Sequence, residues 1–120
     1  MEGKFTVAKI FGVRQFALKP GVKPEDFEQA MQAEIAKAPD LPGWKASLGK
    51  GDRGDQVGNY LFMWQIESVE RRNEISPAPD QPSEEGRRYL EATATLWQTF
   101  TEMATPTWNV FTDYVVIASS

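Results

Sequence analysis

The stretch Asn59-Tyr60-Leu61-Phe62-Met63-Trp64-Gln65-Ile66-Glu67 limits the folding options of this chain more than any other. It is the most aromatic run in the sequence and reads as a central β-strand. Side chains alternate between the two faces of a strand. Tyr60, Phe62, Trp64 and Ile66 therefore point one way, and Leu61, Met63 and Gln65 point the other. Both sets are largely apolar, so each face needs a covering layer. A chain of 120 residues can supply helices for one face. A second copy of the chain is the economical source of cover for the other. A large core inside one subunit is the competing account.

The length fits a single domain over residues 1–120. Hydrophobic residues make up 41% and charged residues 25%, which places the chain among ordinary globular proteins. A net charge of -4 gives no electrostatic footprint for nucleic acid. No apolar run reaches the roughly 20 residues of a membrane span. The start, Met1-Glu2-Gly3-Lys4-Phe5, has no apolar signal core, so a cytoplasmic location is expected. The sequence contains neither Cys nor His. That removes disulfides, thiolate nucleophiles, Ser-His-Asp and Cys-His catalysis, and any His-ligated haem or zinc. A hard-cation site made of carboxylates is the one metal chemistry left open. The expectation is no metal and no cofactor.

In chain order, Phe5 to Lys19 reads as a long first strand, bent or bulged at Gly12. A bulge there would exchange the faces, so the side taken by Arg14 stays open. After the Lys19-Pro20-Gly21-Val22-Lys23 turn, Pro24 suits the first turn of a helix, with Glu25 and Asp26 at its positive end. Phe27, Ala30, Met31, Ile35 and Ala38 recur at helical spacing. Pro39 and Leu41-Pro42-Gly43 end it. Trp44 to Lys50 reads as a second, shorter strand, and the Gly-rich run 49–58 as a hairpin loop into the central strand. Ser68 caps a short helical turn, Val69 to Ile75. The Pro-rich segment 76–82 is an exposed connection. Ser83 caps one long helix with a stripe of Tyr89, Thr93, Leu96, Trp97, Phe100 and Ala104, about 30 Å in length. Thr107 to Ala118 is the last strand. The order βαββαβ predicts an α+β, ferredoxin-like fold: a four-stranded antiparallel sheet with helices on one face.

The long first strand ending in Phe16-Ala17-Leu18-Lys19-Pro20-Gly21-Val22, the helix opening Pro24-Glu25-Asp26-Phe27, Leu41-Pro42-Gly43-Trp44 and the aromatic Tyr60 to Trp64 strand resemble the dimeric α+β barrel superfamily. That group includes antibiotic-biosynthesis-type monooxygenases and stress-responsive A/B barrel proteins. The resemblance covers most of the chain and implies a homodimer in which two sheets pack into a barrel. It also implies a cleft for a small ligand between the sheet and the helices of one subunit. The haem-degrading branch uses a histidine that this sequence lacks. Branches that oxygenate polycyclic substrates without a cofactor need an apolar pocket and a few polar groups.

Trp44, Tyr60, Trp64, Trp97 and Trp108 are candidates for an aromatic pocket, since indole and phenol rings offer flat contacts with a polar handle. Core and interface packing is the competing role. Arg14 and Asp113 interrupt apolar strands and are candidates to pair or to hold a polar ligand, with Lys9, Gln15 and Asn109 as weaker ones. Arg53-Gly54-Asp55 is turn composition, and Gly49-Lys50-Gly51 lacks the spacing of a phosphate-binding loop. Glu67, Glu70 and Glu74 fit a solvated charged face better than a metal site, because Arg71 and Arg72 are interleaved. The leading expectation is a homodimer that binds a small hydrophobic or aromatic molecule. An interaction module without turnover, and a cofactor-independent oxygenase, are the alternatives.

Overall fold

The aromatic run forms an inner strand, β3 (Tyr60–Ile66). In the computed structural model, which describes residues 9–105 and 111–119, β1 (Ile10–Phe16) pairs antiparallel along one edge of β3. β2 (Trp44–Lys50) pairs antiparallel along the other edge. β4 (Thr112–Val115) pairs antiparallel with the far edge of β1, giving the sheet order β2-β3-β1-β4. Helix α1 (Pro24–Lys37) connects β1 to β2. Three helices, α2 (Val69–Ile75), α3 (Glu84–Ala92) and α4 (Ala94–Met103), lie between β3 and β4 in the chain. This is the ferredoxin-like α+β arrangement. No helix among the described residues is long and apolar enough to cross a membrane.

Helix ends follow local chemistry. Pro24 opens α1 with Glu25 and Asp26 in its first turn. The Ser68 hydroxyl accepts from the Arg71 N–H at 2.9 Å and starts α2. The Ser83 hydroxyl accepts from the Gly86 N–H at 3.2 Å and donates to the Ile75 carbonyl at 3.1 Å, which ties the start of α3 to the end of α2. Gly86 permits that approach: a Cβ there would stand 2.5 Å from the Ile75 carbonyl oxygen.

Three expectations need correction. The β1–β3 register runs unbroken from Ile10 opposite Ile66 to Phe16 opposite Tyr60, so Gly12 makes no bulge and the faces are not exchanged. Arg14 therefore shares a face with Phe16 and Phe62. Strand pairing ends at Phe16, short of the expected end at Lys19; beyond it Leu18 makes an isolated bridge to Ala104. The expected strand residues 5–8 and 107–110 lie outside the described residues, as do Trp108 and Asn109. The single long helix is two helices, α3 and α4, joined at Thr93, whose backbone leaves helical geometry at φ -110°, ψ 22°. The Thr93 hydroxyl bonds back to the Tyr89 carbonyl at 2.8 Å and accepts the Trp97 indole N–H at 3.1 Å. Threonine that competes in this way with the backbone bends helices.

The core lies at one end of the sheet. There Phe16, Tyr60 and Phe62 meet Phe27, Met31, Leu96, Phe100 and Ala104 from α1, α4 and the residue after it. The described helices pack on this face. The other face carries Phe11 and Val13 of β1, Leu61 and Met63 of β3, and Tyr114 of β4, which is 58% exposed.

Candidate functional site

One row of side chains crosses the helix-covered face of the sheet in the order Ala46, Trp64, Gly12, Asp113. Trp64 thus has only a methyl group on one side and a hydrogen on the other. In the next rows, Phe62 lies between Leu48 and Arg14, and Tyr60 between Lys50 and Phe16. Large neighbours fill the space over Tyr60 and Phe62, while small ones leave a hollow around Trp64. A cavity of about 820 Å³ opens there between the sheet and the helices. Its walls include Trp44, Trp64 and Trp97, together with Arg14, Arg72 and Asp113. The whole connection from Ser76 to Pro82 forms one side. An adjoining cavity of about 680 Å³ shares Trp44, Trp64, Tyr89 and Trp97 with it.

The sheet thereby brings together five residues singled out from the sequence: Arg14, Trp44, Trp64, Trp97 and Asp113. Each indole is placed by a different element. Trp44 opens β2, Trp64 lies on β3, and Trp97 on α4 is oriented by its hydrogen bond to Thr93. Tyr60 does not line either cavity. It is buried in the core, its ring 5.0 Å from Phe27 and 5.8 Å from Phe16, and its hydroxyl donates to Glu28 at 2.6 Å. Of the weaker candidates, Lys9 lines the adjoining cavity, and Gln15 is exposed on the opposite face of the sheet.

Asp113 projects over the backbone of β1. A Cβ on Gly12 would meet the Asp113 Oδ1 at 2.7 Å and the Trp64 Cε3 at 3.3 Å. Glycine is thus what lets a carboxylate and an indole lie side by side on the cavity floor. Asp113 is held by an ion pair with Arg72 of α2, 3.1 Å apart. Gly12→Ala should push both groups aside and lower stability by about 1–3 kcal/mol, measured by urea denaturation. A neutral outcome would mean that Asp113 has room to move.

Arg14 is only 9% exposed and has its guanidinium 5.8 Å from the Trp64 ring centre and 5.4 Å from that of Phe111. Burial pushes its pKa down, and attraction to Asp80 works in the opposite direction. Tyr89, shared by both cavities, has its pKa pushed up by burial and then by Asp40. Arg71, next to Arg72 in sequence, turns the other way. It donates to Glu85 at 2.6 and 3.0 Å, to Glu74 at 2.9 Å and to the Pro42 carbonyl at 2.8 Å, clamping α2, α3 and the entry to β2 around the cavity. Sequence reasoning placed Arg72 on a solvated face and did not single out Asp80 or Phe111. The available signal for Arg72 was its place in the short helix that follows β3, whose last residue, Ile66, lines the cavity.

Tyr60 supplies a pH-dependent anchor outside the site. Burial, and then its bond to Glu28, raises its pKa to about 12. A phenol held neutral in this way contributes stability below its ordinary value of 10.0, and that contribution is lost as pH rises toward about 12. Tyr60→Phe should therefore flatten the fall in thermal midpoint between pH 10 and 12, the window set by that shift. An unchanged alkaline slope would count against the bond to Glu28.

A four-stranded antiparallel sheet in the order β2-β3-β1-β4, with helices on one face, is a ferredoxin-like fold. No protein-family model and no curated protein sequence matches the chain. Among solved structures, it is similar to a dimeric ferredoxin-like protein of unknown function from Thermobifida fusca, at 11% identity over 91% of this chain and 92% of that one, with a TM-score of 0.59. It is also similar to SnoaB, a cofactor-independent oxygenase from Streptomyces nogalater, at 14% identity over 94% and 95% of the two chains, with a TM-score of 0.54. A dimeric protein of unknown function and ferredoxin-like fold from Bacteroides fragilis aligns at 12% identity over 90% and 96%, again with a TM-score of 0.54.

Proposed function

We propose that the protein is a homodimer that binds a small hydrophobic or aromatic molecule in the sheet–helix cavity of each subunit. The observation that carries this reading is the cavity of about 820 Å³, walled by three indoles and set with two guanidinium groups and two carboxylates. Ligand sites commonly combine an apolar wall, a volume of roughly 300–1,000 Å³ and a few converging polar groups. Indoles offer broad contact to planar rings, and Arg14, Arg72 and Asp113 give a bound molecule both donors and acceptors. The half-apolar second face of the sheet supports pairing, because a sheet face bearing Phe11, Val13, Leu61, Met63 and Tyr114 is stabilised by cover. Fold likeness to SnoaB supports the architecture and carries no activity with it.

Two measurements test the reading. Native mass spectrometry, set against the denatured mass, should give twice the chain mass, plus any molecule retained through purification. Anthraquinone added to the protein should quench tryptophan fluorescence saturably, since Trp44, Trp64 and Trp97 line the cavity. Linear quenching without saturation would remove the cavity as a site for flat aromatic molecules.

A further inference from the structure

We infer that the two adjoining cavities are lobes of one site, which takes a single elongated molecule with an aromatic middle and polar groups at both ends, and that Thr93 is the positioning residue that fixes the waist between the lobes. This rests on the cavity being a ligand site, as proposed above, and adds the shape of the ligand and the residue that sets it.

The two cavities meet over a common floor. Leu41, Trp44, Trp64, Ile66, Tyr89 and Trp97 line both. Trp44 stands opposite Ile66 across β2 and β3, and Trp64 lies two residues back along β3 on the same face. These three belong to one face of one sheet, so the floor runs from one cavity into the other. The other wall of the shared region comes from the helices, with Tyr89 on α3 and Trp97 on α4. Two separate ligands would compete for the same rings at this waist. One molecule that passes through it meets those rings once and fills both lobes.

Polarity changes along the site. The six shared residues carry no charge. Charged side chains belong to one lobe or the other: Lys9 and Asp40 line the smaller, Arg72 and Asp113 the larger. A ligand that matches this order has a flat ring system at the waist and hydrogen-bonding groups at its two ends.

Thr93 sets the waist. It is 3% exposed and stands four residues after Tyr89 and four before Trp97. Its hydroxyl donates to the Tyr89 carbonyl at 2.8 Å and accepts the Trp97 indole N–H at 3.1 Å. One hydroxyl thus links the two helix residues that narrow the site. Trp97 is also backed by core rings, with the Phe62 and Phe100 centres 5.5 and 6.1 Å away. The indole has no room to retreat into the core. Released from Thr93, it would turn its N–H toward the cavity and its water, because an unpaired buried donor is costly.

The test compares 6,6′-dihydroxy-2,2′-binaphthyl, two naphthol units joined end to end, with its half, 2-naphthol, by calorimetry on the full-length protein. The binaphthyl should bind once per chain, displace 2-naphthol completely and bind at least about tenfold more tightly, because joining the halves makes the second contact intramolecular. Thr93→Val, which keeps the branched shape and removes the hydroxyl, should lower the affinity for the binaphthyl relative to 2-naphthol by about threefold or more. Thr93→Ser, which retains the hydroxyl, should recover that ratio. A merely structural role would weaken both probes alike and leave the ratio unmoved. Should Thr93→Val fail to fold, Thr93→Cys takes its place, since a thiol is a weak hydrogen-bonding partner. Two binaphthyl molecules per chain, a gain below about tenfold, or 2-naphthol retained beside bound binaphthyl would overturn the single site. An unmoved ratio would overturn the role of Thr93. If anthraquinone binds and the binaphthyl does not, the inference falls and the cavity reading stands. If none of the three molecules binds, both fall.

Discussion

Phe100→Ala should lower the free energy of unfolding by about 3–5 kcal/mol. Phe100 is fully buried, and its ring is the hub of the aromatic cluster. It lies 4.8 Å from Phe16 in an edge-to-face contact, 5.2 Å from Phe62 and 6.1 Å from Trp97. Truncation removes the transfer energy of a whole ring, and the sheet side of the hole cannot close. Phe16 and Phe62 are fixed there by backbone pairing on β1 and β3. Total stability for a domain is about 5–15 kcal/mol, so the variant should be marginal. The site should feel the loss as well, because Phe100 packs edge-on against Trp97, which walls the cavity. Urea denaturation followed by far-ultraviolet circular dichroism measures it, and the midpoint should fall with little change in slope. A cost below about 1 kcal/mol would mean that α4 docks on the sheet by other contacts, since surface-like positions rarely exceed that.

The order of elements was legible because hydrophobic period and turn chemistry agree along most of this chain. β2 begins at Trp44 after Leu41-Pro42-Gly43, and α2 begins after the Ser68 cap, as their local signals indicate. The break at Thr93 was not legible, for a physical reason. Thr93 fits the apolar stripe of one continuous helix, and what ends α3 is a hydroxyl shared between the Tyr89 carbonyl and the Trp97 indole. That competition exists only once the tryptophan is fixed against the sheet. The aromatic residues show the same limit. Period alone puts Tyr60 and Trp64 on one face of β3, and nothing along the strand separates their surroundings. The difference comes from neighbours on other strands: Lys50 and Phe16 beside Tyr60, Ala46 and Gly12 beside Trp64. Cross-strand register, which depends on distant parts of the chain, decides which ring packs in the core and which faces a cavity. Charged residues were harder still. Arg71 and Arg72 are adjacent and read as one solvated patch, yet one closes a clamp on Glu85 and the other holds Asp113.

If the chain pairs through the open face of its sheet as proposed, Met63→Lys should convert the dimer to a monomer, raising the dimer dissociation constant by about a thousandfold or more. Met63 lies on β3 opposite Val13 of β1 and Ser47 of β2, on the face turned away from the helices. If two sheets meet across a two-fold axis, every substitution enters the interface twice. Two ammonium groups would then be brought into an apolar contact with no acid supplied to meet them. The fold itself should tolerate the change, because Phe27, Met31, Leu96 and Phe100 all pack on the opposite face and keep their neighbours. Circular dichroism should therefore stay as in the unaltered protein while light scattering and sedimentation equilibrium report half the mass. Gln65→Lys makes the control, since Gln65 is on the same face of the same strand but is exposed at its end. A lysine there should weaken association far less. The pattern across the two positions is the informative result. Loss of the dimer at Met63 alone locates the interface on the middle of the sheet. Equal loss at both would indicate a response to net charge and not to a defined contact. A monomeric unaltered protein would remove the paired-sheet architecture and leave the cavity, which is built within one chain, to be tested separately.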